Sequence, residues 1–344
     1  MTEADFLVAL RRLPLHPGAL DLRDDAARLG HLVLTTDTLV EGVHYLSDDP
    51  AGDVAWKLVA TNLSDLAAKG AVPVGVMLNY PLRASSTPAS PAKAGAQSRN
   101  GDGEGQPDVT SATSTGPRPS PGKREGGEER DWDAAFLEGF GHALTTFSAP
   151  LLGGDTVSLP VHAPRVISLT AIGRSATAPV RTGARAGDAL YVTGTIGDAG
   201  AGLKIAQGRA GPAELLGAYR RPQPRLVEGR ALAGGVSAMM DVSDGLLIDA
   251  QRMAAASGLA VALDLADIPL SDAYRGFAGE DRAARLAAAT AGDDYQLLFA
   301  AAPDVALPCA ATRVGWFAPG TGLTVTDAGE VVPLPARLGF QHDG

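Results

Sequence analysis

The chain has 344 residues, 45% of them hydrophobic and 20% charged, a profile that allows two ordinary globular domains and excludes a fibrous or wholly disordered class. Its 29 basic and 39 acidic side chains give a net charge of −10 at pH 7 with no basic patch, so sequence-independent binding to nucleic acid is not expected. The single cysteine, Cys309, excludes an internal disulfide, and no Cys/His spacing suits a structural zinc site.

The N-terminus, Met-Thr-Glu-Ala-Asp-Phe-Leu, carries acid ahead of any apolar run and does not read as a secretory signal. No apolar stretch approaches the ~18 residues of a membrane span. A cytoplasmic protein with no membrane partner is expected. In chain order, His31–Thr35 is a short apolar strand ending where Thr36-Asp37 begin. Asp53–Lys69 has helical periodicity, with Ala55, Val59, Leu63 and Leu66 on one face and Gly70 suited to close it. Lys57, Thr61, Ser64 and Asp65 fall on another face, from which Asp65 looks into a site. Val74–Leu82 reads as a strand and Trp132–Leu144 as a helix.

Between them, residues 84–130 contain no aromatic residue and one large aliphatic, Val109. Such a segment cannot bury enough apolar area to offset its ordering entropy, so a disordered insertion is expected there, tolerated at a surface connection. Val166–Ile172 is a further strand, and the turn-rich Gly183–Asp188 marks a domain boundary, giving 1–182 and 183–344. The second half opens with the strand Ala189–Thr193 and a Gly-rich loop, Gly194–Gly202. Those glycines do not make G-x-G-x-x-G, no P-loop occurs in the chain, and the loop reads mainly as backbone packing. Ser237–Asp241 and a helix from about Gly245 to Ser257 follow. Interleaved strands and helices in both halves favour an α/β or α+β class.

Seven aspartates stand in short clusters flanked by glycines or hydroxyls: Asp24-Asp25, Thr35-Thr36-Asp37, Ser64-Asp65, Gly153-Gly154-Asp155 and Asp241-Val-Ser-Asp244. Each has an ordinary reading when taken singly. Ser243 and Asp244 suit a helix cap, the threonines a strand edge, and Gly153–Asp155 a hairpin turn. Arg181 suits a solvated surface. Together they suggest more: adjacent acids repel unless a cation or proton lies between them, and Mg²⁺ is gripped by a few carboxylates together with a substrate's phosphates. A metal-dependent phosphate site is expected.

Read in order, Asp24-Asp-Ala-Ala27, Thr36-Asp-Thr-Leu-Val-Glu-Gly-Val-His44, Asn62-Leu-Ser-Asp-Leu-Ala-Ala-Lys-Gly-Ala71, Leu152-Gly-Gly-Asp-Thr156, Tyr191–Gly197, Asp241-Val-Ser-Asp-Gly-Leu246 and Gly292-Asp-Asp-Tyr295 resemble the thiamine-monophosphate kinase family. That family belongs to the superfamily of aminoimidazole ribonucleotide synthetase and selenophosphate synthetase. The likeness spans nearly the whole chain outside the insertion. A cysteine or selenocysteine loop of the selenophosphate branch and the cysteine tail of the hydrogenase-maturation branch are not seen. Two departures from the family pattern stand out: Asp21-Leu-Arg-Asp-Asp25 replaces a Gly-x-Gly-Asp-Asp lead-in, and Asp293 replaces a glutamate.

The resemblance implies a two-domain aminoimidazole ribonucleotide synthetase-like fold. An N-terminal α/β domain would dimerise through its sheet and bind ATP near that interface, and a C-terminal α+β domain would close the cleft. It implies ATP- and Mg²⁺-dependent transfer of a γ-phosphoryl group directly onto thiamine monophosphate, by a homodimer using several Mg²⁺ ions. Asp25, Thr35, Thr36, Asp37, Asp65, Asp155, Asp241 and Asp244 match magnesium ligands. Gly154, Asp155, Arg181 and Ser243 match the nucleotide site, and His44, Asp293 and Phe340 match substrate contacts. No general base is expected, because the attacking phosphate oxygen is already deprotonated near neutral pH. The alternatives are another ATP-dependent synthetase of the same superfamily and a non-catalytic Mg-nucleotide-binding protein.

Overall fold

The alternation of Val33, Thr35, Asp37 and Leu39 with exposed or half-exposed neighbours makes Leu32–Val40 one strand with an inner and an outer face. In the computed structural model, which describes residues 3–83, 125–160 and 162–341, this strand is β2. It follows helix α1 (Glu3–Leu10) and the short strand β1 (Ala27–Leu29), and precedes α2 (Ala51–Ala68), β3 (Val72–Arg83), α3 (Glu125–Phe147), β4 (Leu151–Leu159) and β5 (Val166–Arg174). The strands form a mixed sheet in the order β1-β2-β5-β3-β4. Thr36 and Asp37 therefore lie in mid-strand, not beyond its end as the sequence suggested. The polar pair reads as a stop signal, but its pairing with Thr170 and Leu169 of β5 carries the strand onward.

Residues 84–124, most of the segment expected to be disordered, lie outside the described residues. Residues 125–130 belong to α3, which starts earlier than Trp132. Helices α2 and α3 pack together on one face of the sheet around Leu58, Leu63, Phe136, Ile167 and Leu169, all fully buried. Periodicity alone assigned α2 one apolar face, whereas Lys57, Thr61, Asn62 and Ser64 are buried too. The helix is sandwiched: Trp56 Nε1 donates to Pro222 O at 2.9 Å, and Lys69 Nζ reaches Met239 O at 3.2 Å. Gly70, at φ 56, ends it as expected.

The second half runs β6 (Ala189–Val192), α4 (Asp198–Ala206), α5 (Ala213–Arg220), α6 (Leu226–Leu232), β7 (Ala238–Asp241), α7 (Leu246–Ser257), β8 (Leu259–Asp264), α8 (Asp272–Ala278), α9 (Arg282–Ala289), β9 (Leu297–Ala301), β10 (Thr312–Pro319), β11 (Gly322–Asp327) and β12 (Glu330–Val332). Its sheet has the order β12-β11-β8-β10-β6-β9-β7. β7 forms one edge, and its last residue, Asp241, points back toward α2, where Ser64 Oγ donates to Asp241 Oδ2 at 2.6 Å. Among the described residues, no helix is long and apolar enough to cross a membrane.

Candidate active site

Three elements far apart in sequence deliver carboxylates to one point. Asp25 precedes β1, Asp65 lies on α2 and Asp241 ends β7, and each brings a carboxylate oxygen within 4.8 Å of the others. Asp37 joins them from β2, its backbone N–H donating to Asn62 Oδ1 at 3.1 Å. The Thr35 hydroxyl bonds Asp65. Oxygen donors at this density suit a hard divalent cation such as Mg²⁺.

The electrostatics fit that chemistry. Burial, followed by repulsion from Asp25 and relieved in part by the Ser64 hydroxyl, pushes the Asp241 carboxyl up to about 8. Burial, then Asp25 and Asp244, raises Asp37 to about 6. Asp65 is held well above its ordinary value by burial and by Asp37, Asp241 and Asp25. Asp25 goes the other way. Burial opposes its charge, but Arg181 and Lys69 outweigh burial and hold it below the usual carboxylate range.

The Asp24-Asp25 repulsion read from sequence is thus answered by protein cations rather than requiring a metal. Lys69, only 2% exposed, pairs with Asp24 and, at 3.0 Å, with Asp25. Arg181, expected to be solvated or to meet nucleotide, is half-buried and pairs with Asp25. Arg23 is exposed.

The turn after β7 is not capped by Ser243 or Asp244, since α7 is preceded by Gly245 without a side-chain cap. Instead Asp249 Oδ2 accepts from the N–H groups of Ser243 at 3.1 Å, Asp244 at 3.1 Å and Gly245 at 3.2 Å. Asp244 pairs with Arg252. The neighbouring loop is tied to this turn, with Asp293 N–H to Ser243 O and Tyr295 N–H to Val242 O, both 2.8 Å. Asp293 and Tyr295 adopt left-handed φ of 67° and 49°. Such strained backbone is retained where surroundings over-determine it, commonly at functional sites.

Thr36, Asp37, Asp65, Asp241, Ser243 and Asp244 line a cavity of about 950 Å³ between the two halves. That volume is in the range of small-molecule sites. The same cavity is also walled by Val43, His44, Tyr274, Asp293, Tyr295 and Phe340. The His44 and Phe340 rings are 6.4 Å apart, and Phe340 N–H donates to Asp244 O at 2.8 Å. Lys57 Nζ meets Asp293 Oδ2 at 2.7 Å while the Tyr295 hydroxyl donates to Oδ1 at 2.9 Å.

Gly154 and Asp155 do not reach this cavity. They lie on β4, an exposed edge strand and not a hairpin turn, where a Cβ at Gly154 would collide with the Leu78 carbonyl. Asp155 is in register with Asn79, Ser168 and Thr38. It stands three strand spacings from β2, on the order of 14 Å. The Gly-rich loop walls the cavity with Gly197 and Gly200. Asp294 occupies the Gly197 N–H through both carboxyl oxygens, at 3.0 and 2.9 Å, so the start of α4 is already filled by a side chain of the protein.

Sequence reasoning assigned no site role to Lys57, Lys69, Asp249, Asp294 or Tyr295. Lys69 had a signal: a lysine four residues after Asp65 at the end of an otherwise small, apolar helical turn. Asp249 lies in the first turn of α7, where an acid ordinarily answers the helix dipole and carries no further signal.

Comparison with known proteins fits this architecture. The N-terminal domain of AIR synthase related protein matches residues 23–96 and 117–175, and its C-terminal domain matches residues 185–330. The fold is therefore that of the two-domain AIR synthase related proteins. It resembles AaThiL complexed with AMPPCP and TMP with a TM-score of 0.76 at 24% identity, covering 99% of this chain and 97% of that one. A crystal structure of thiamine-monophosphate kinase from Stenotrophomonas maltophilia K279a gives a TM-score of 0.67 at 33% identity, covering 95% of this chain and 96% of that one. Thiamine-monophosphate kinase of Caulobacter vibrioides is 36% identical over 99% of this chain and 91% of its own length. The chain belongs to the thiamine-monophosphate kinase family and is an enzyme of the kinase class.

Proposed function

We propose that the chain transfers the γ-phosphoryl group of ATP directly onto the phosphate of thiamine monophosphate, giving thiamine diphosphate, in a Mg²⁺-dependent reaction. The observation that carries this reading is one cavity lined both by converging carboxylates and by aromatic side chains beside a fixed acid, Asp293. Donor and acceptor are both anions, so their mutual repulsion is the main obstacle, and catalysis rests on positioning and charge neutralisation. Asp37, Asp65 and Asp241 would hold Mg²⁺ directly, with Asp25, Thr35, Thr36, Asp155 and Asp244 as further candidates. When bound, the cations supply the positive charge that lets two phosphates approach.

The chain's own groups do the rest. Asp249 aims the Asp241–Asp244 turn, and Ser243 and Arg181 are the nucleotide candidates on the acidic side. Asp293, braced by Lys57 and Tyr295, lines the same cavity as Phe340 and His44, where a cationic heteroaromatic ring would sit. No residue is assigned as general base.

A homodimer built on the five-stranded sheet completes the proposal. α2 and α3 cover one face, while β4 leaves a sheet edge with Leu151 at 51%, Leu152 at 53% and Val157 at 52% exposure. An exposed apolar edge strand is a pairing surface, and a second copy there would bring Gly154 and Asp155 into a shared nucleotide region. The test is direct: purified chain, ATP, thiamine monophosphate and Mg²⁺ should yield thiamine diphosphate and ADP in equal amounts. ADP formed without thiamine diphosphate, or no turnover at all, would refute the reading.

A further inference from the structure

The acidic centre contains its own cation. Lys69 Nζ is buried, pairs with Asp24 and Asp25, and donates to Met239 O at 3.2 Å, so its polar contacts are all inside the protein. Asp25 is bracketed: Lys69 engages Oδ2 at 3.0 Å and Arg181 engages Oδ1. A carboxylate with a protein cation on each oxygen is the least available member of the Asp25–Asp65–Asp241 group. Asp24 Oδ2, by contrast, is buried with no hydrogen-bond partner among the described residues. An unpaired buried carboxylate oxygen is costly, and beside Lys69 it is where a divalent ion would settle if the ammonium were absent.

We propose that Lys69 is a resident counter-cation, taking the place of one divalent ion at the Asp24–Asp25 end of the acidic centre. The proposal deepens the metal-dependent reading above and rests on it. Lys69 is a positioning residue, acting through Asp24 and Asp25. Divalent binding is thereby directed to Asp65, Asp241 and Asp37. The Asp25 arm also stays ordered before any metal arrives.

The two directions of charge change make the idea testable in the full chain with Mg²⁺ alone and no substrate. Lys69→Met removes the ammonium and leaves the acid pair exposed to metal. Asp24→Asn keeps the ammonium and removes one acid. By calorimetric titration of EDTA-treated protein, Lys69→Met is expected to bind one additional Mg²⁺ or to bind at least about tenfold more tightly, equivalent to about 1.4 kcal/mol. Its metal-free melting temperature falls, and saturating Mg²⁺ restores it to the wild-type value. Asp24→Asn is expected to bind Mg²⁺ at least about threefold more weakly than wild type, a shift of about 0.7 kcal/mol.

A merely structural lysine would move both variants in the same direction or neither. Unchanged stoichiometry and affinity in Lys69→Met, or weakened binding there, overturns the proposal. If Lys69→Met does not fold even with Mg²⁺, Asp24→Asn decides, and unchanged or tighter binding in it overturns the proposal. Mg²⁺ binding absent from wild type and variants alike overturns the metal reading and this inference with it, an outcome distinct from binding that is present but unmoved.

Discussion

Replacing Asp241 with asparagine should make the metal-free protein more stable at alkaline pH. The carboxyl is 4% exposed and its value is pushed from 3.8 up to about 8, chiefly by burial and by Asp25. The sign follows from linkage. A carboxyl whose folded value lies above its unfolded one contributes stability that is whole below about pH 4 and is lost as pH rises through about 8. At about 1.4 kcal/mol per unit, the four-unit rise sets an upper bound of roughly 5 kcal/mol at pH 8. The asparagine side chain would still accept the Ser64 hydroxyl, and its neighbours also relax, so a gain of about 1–3 kcal/mol is expected. For a chain of this size that is on the order of 1–4 °C in melting temperature. Differential scanning calorimetry of EDTA-treated wild type and Asp241→Asn at pH 5 and pH 8 measures it. The variant should melt higher at pH 8 and come close to wild type at pH 5, and Mg²⁺ should stabilise wild type more than the variant. Equal melting temperatures at pH 8, or an offset independent of pH, would refute the reasoning.

Asp37→Asn should leave the circular dichroism spectrum unchanged while lowering kcat at saturating Mg²⁺ by at least about 10²-fold, the scale of losing one preorganised electrostatic contact; steady-state kinetics decides. Lys57→Met frees Asp293 from its 2.7 Å partner and should raise the KM for thiamine monophosphate about tenfold while shifting the KM for ATP less than about twofold. Asp21, exposed and at φ 55 where the family pattern has glycine, should stabilise the chain by about 0.5–1 kcal/mol when changed to glycine, read from a denaturant midpoint.

Much of the centre was legible because its residues sit in short motifs at strand and helix ends, where hydroxyls, glycines and acids cluster for local reasons. Asp65, Asp241 and Asp244 could be placed near a site from the periodicity of α2 and the strand-to-helix turn before α7. What local reading could not supply was convergence. Asp25 meets Asp241 only because α2 is sandwiched between the halves, and burial of Lys57, Thr61 and Ser64 is a tertiary fact that a one-face helix pattern conceals. β2 was cut short at Thr36 because polar residues in a half-buried strand look like a boundary until the partner strand is known. Lys69 was overlooked for a related reason. A lysine in the last helical turn is the ordinary solution for a helix dipole, and nothing local reveals two aspartates arriving from the start of the chain.

The central claim is that the acids converge as a divalent-cation centre serving two phosphates. Anomalous diffraction from crystals of the chain grown with Mn²⁺ and a non-hydrolysable ATP analogue tests it most directly. Peaks within about 2.3 Å of the carboxylates of Asp65 and Asp241, bridged to the analogue's phosphates, are the predicted result. Nucleotide bound with no anomalous peak at these aspartates would contradict the account.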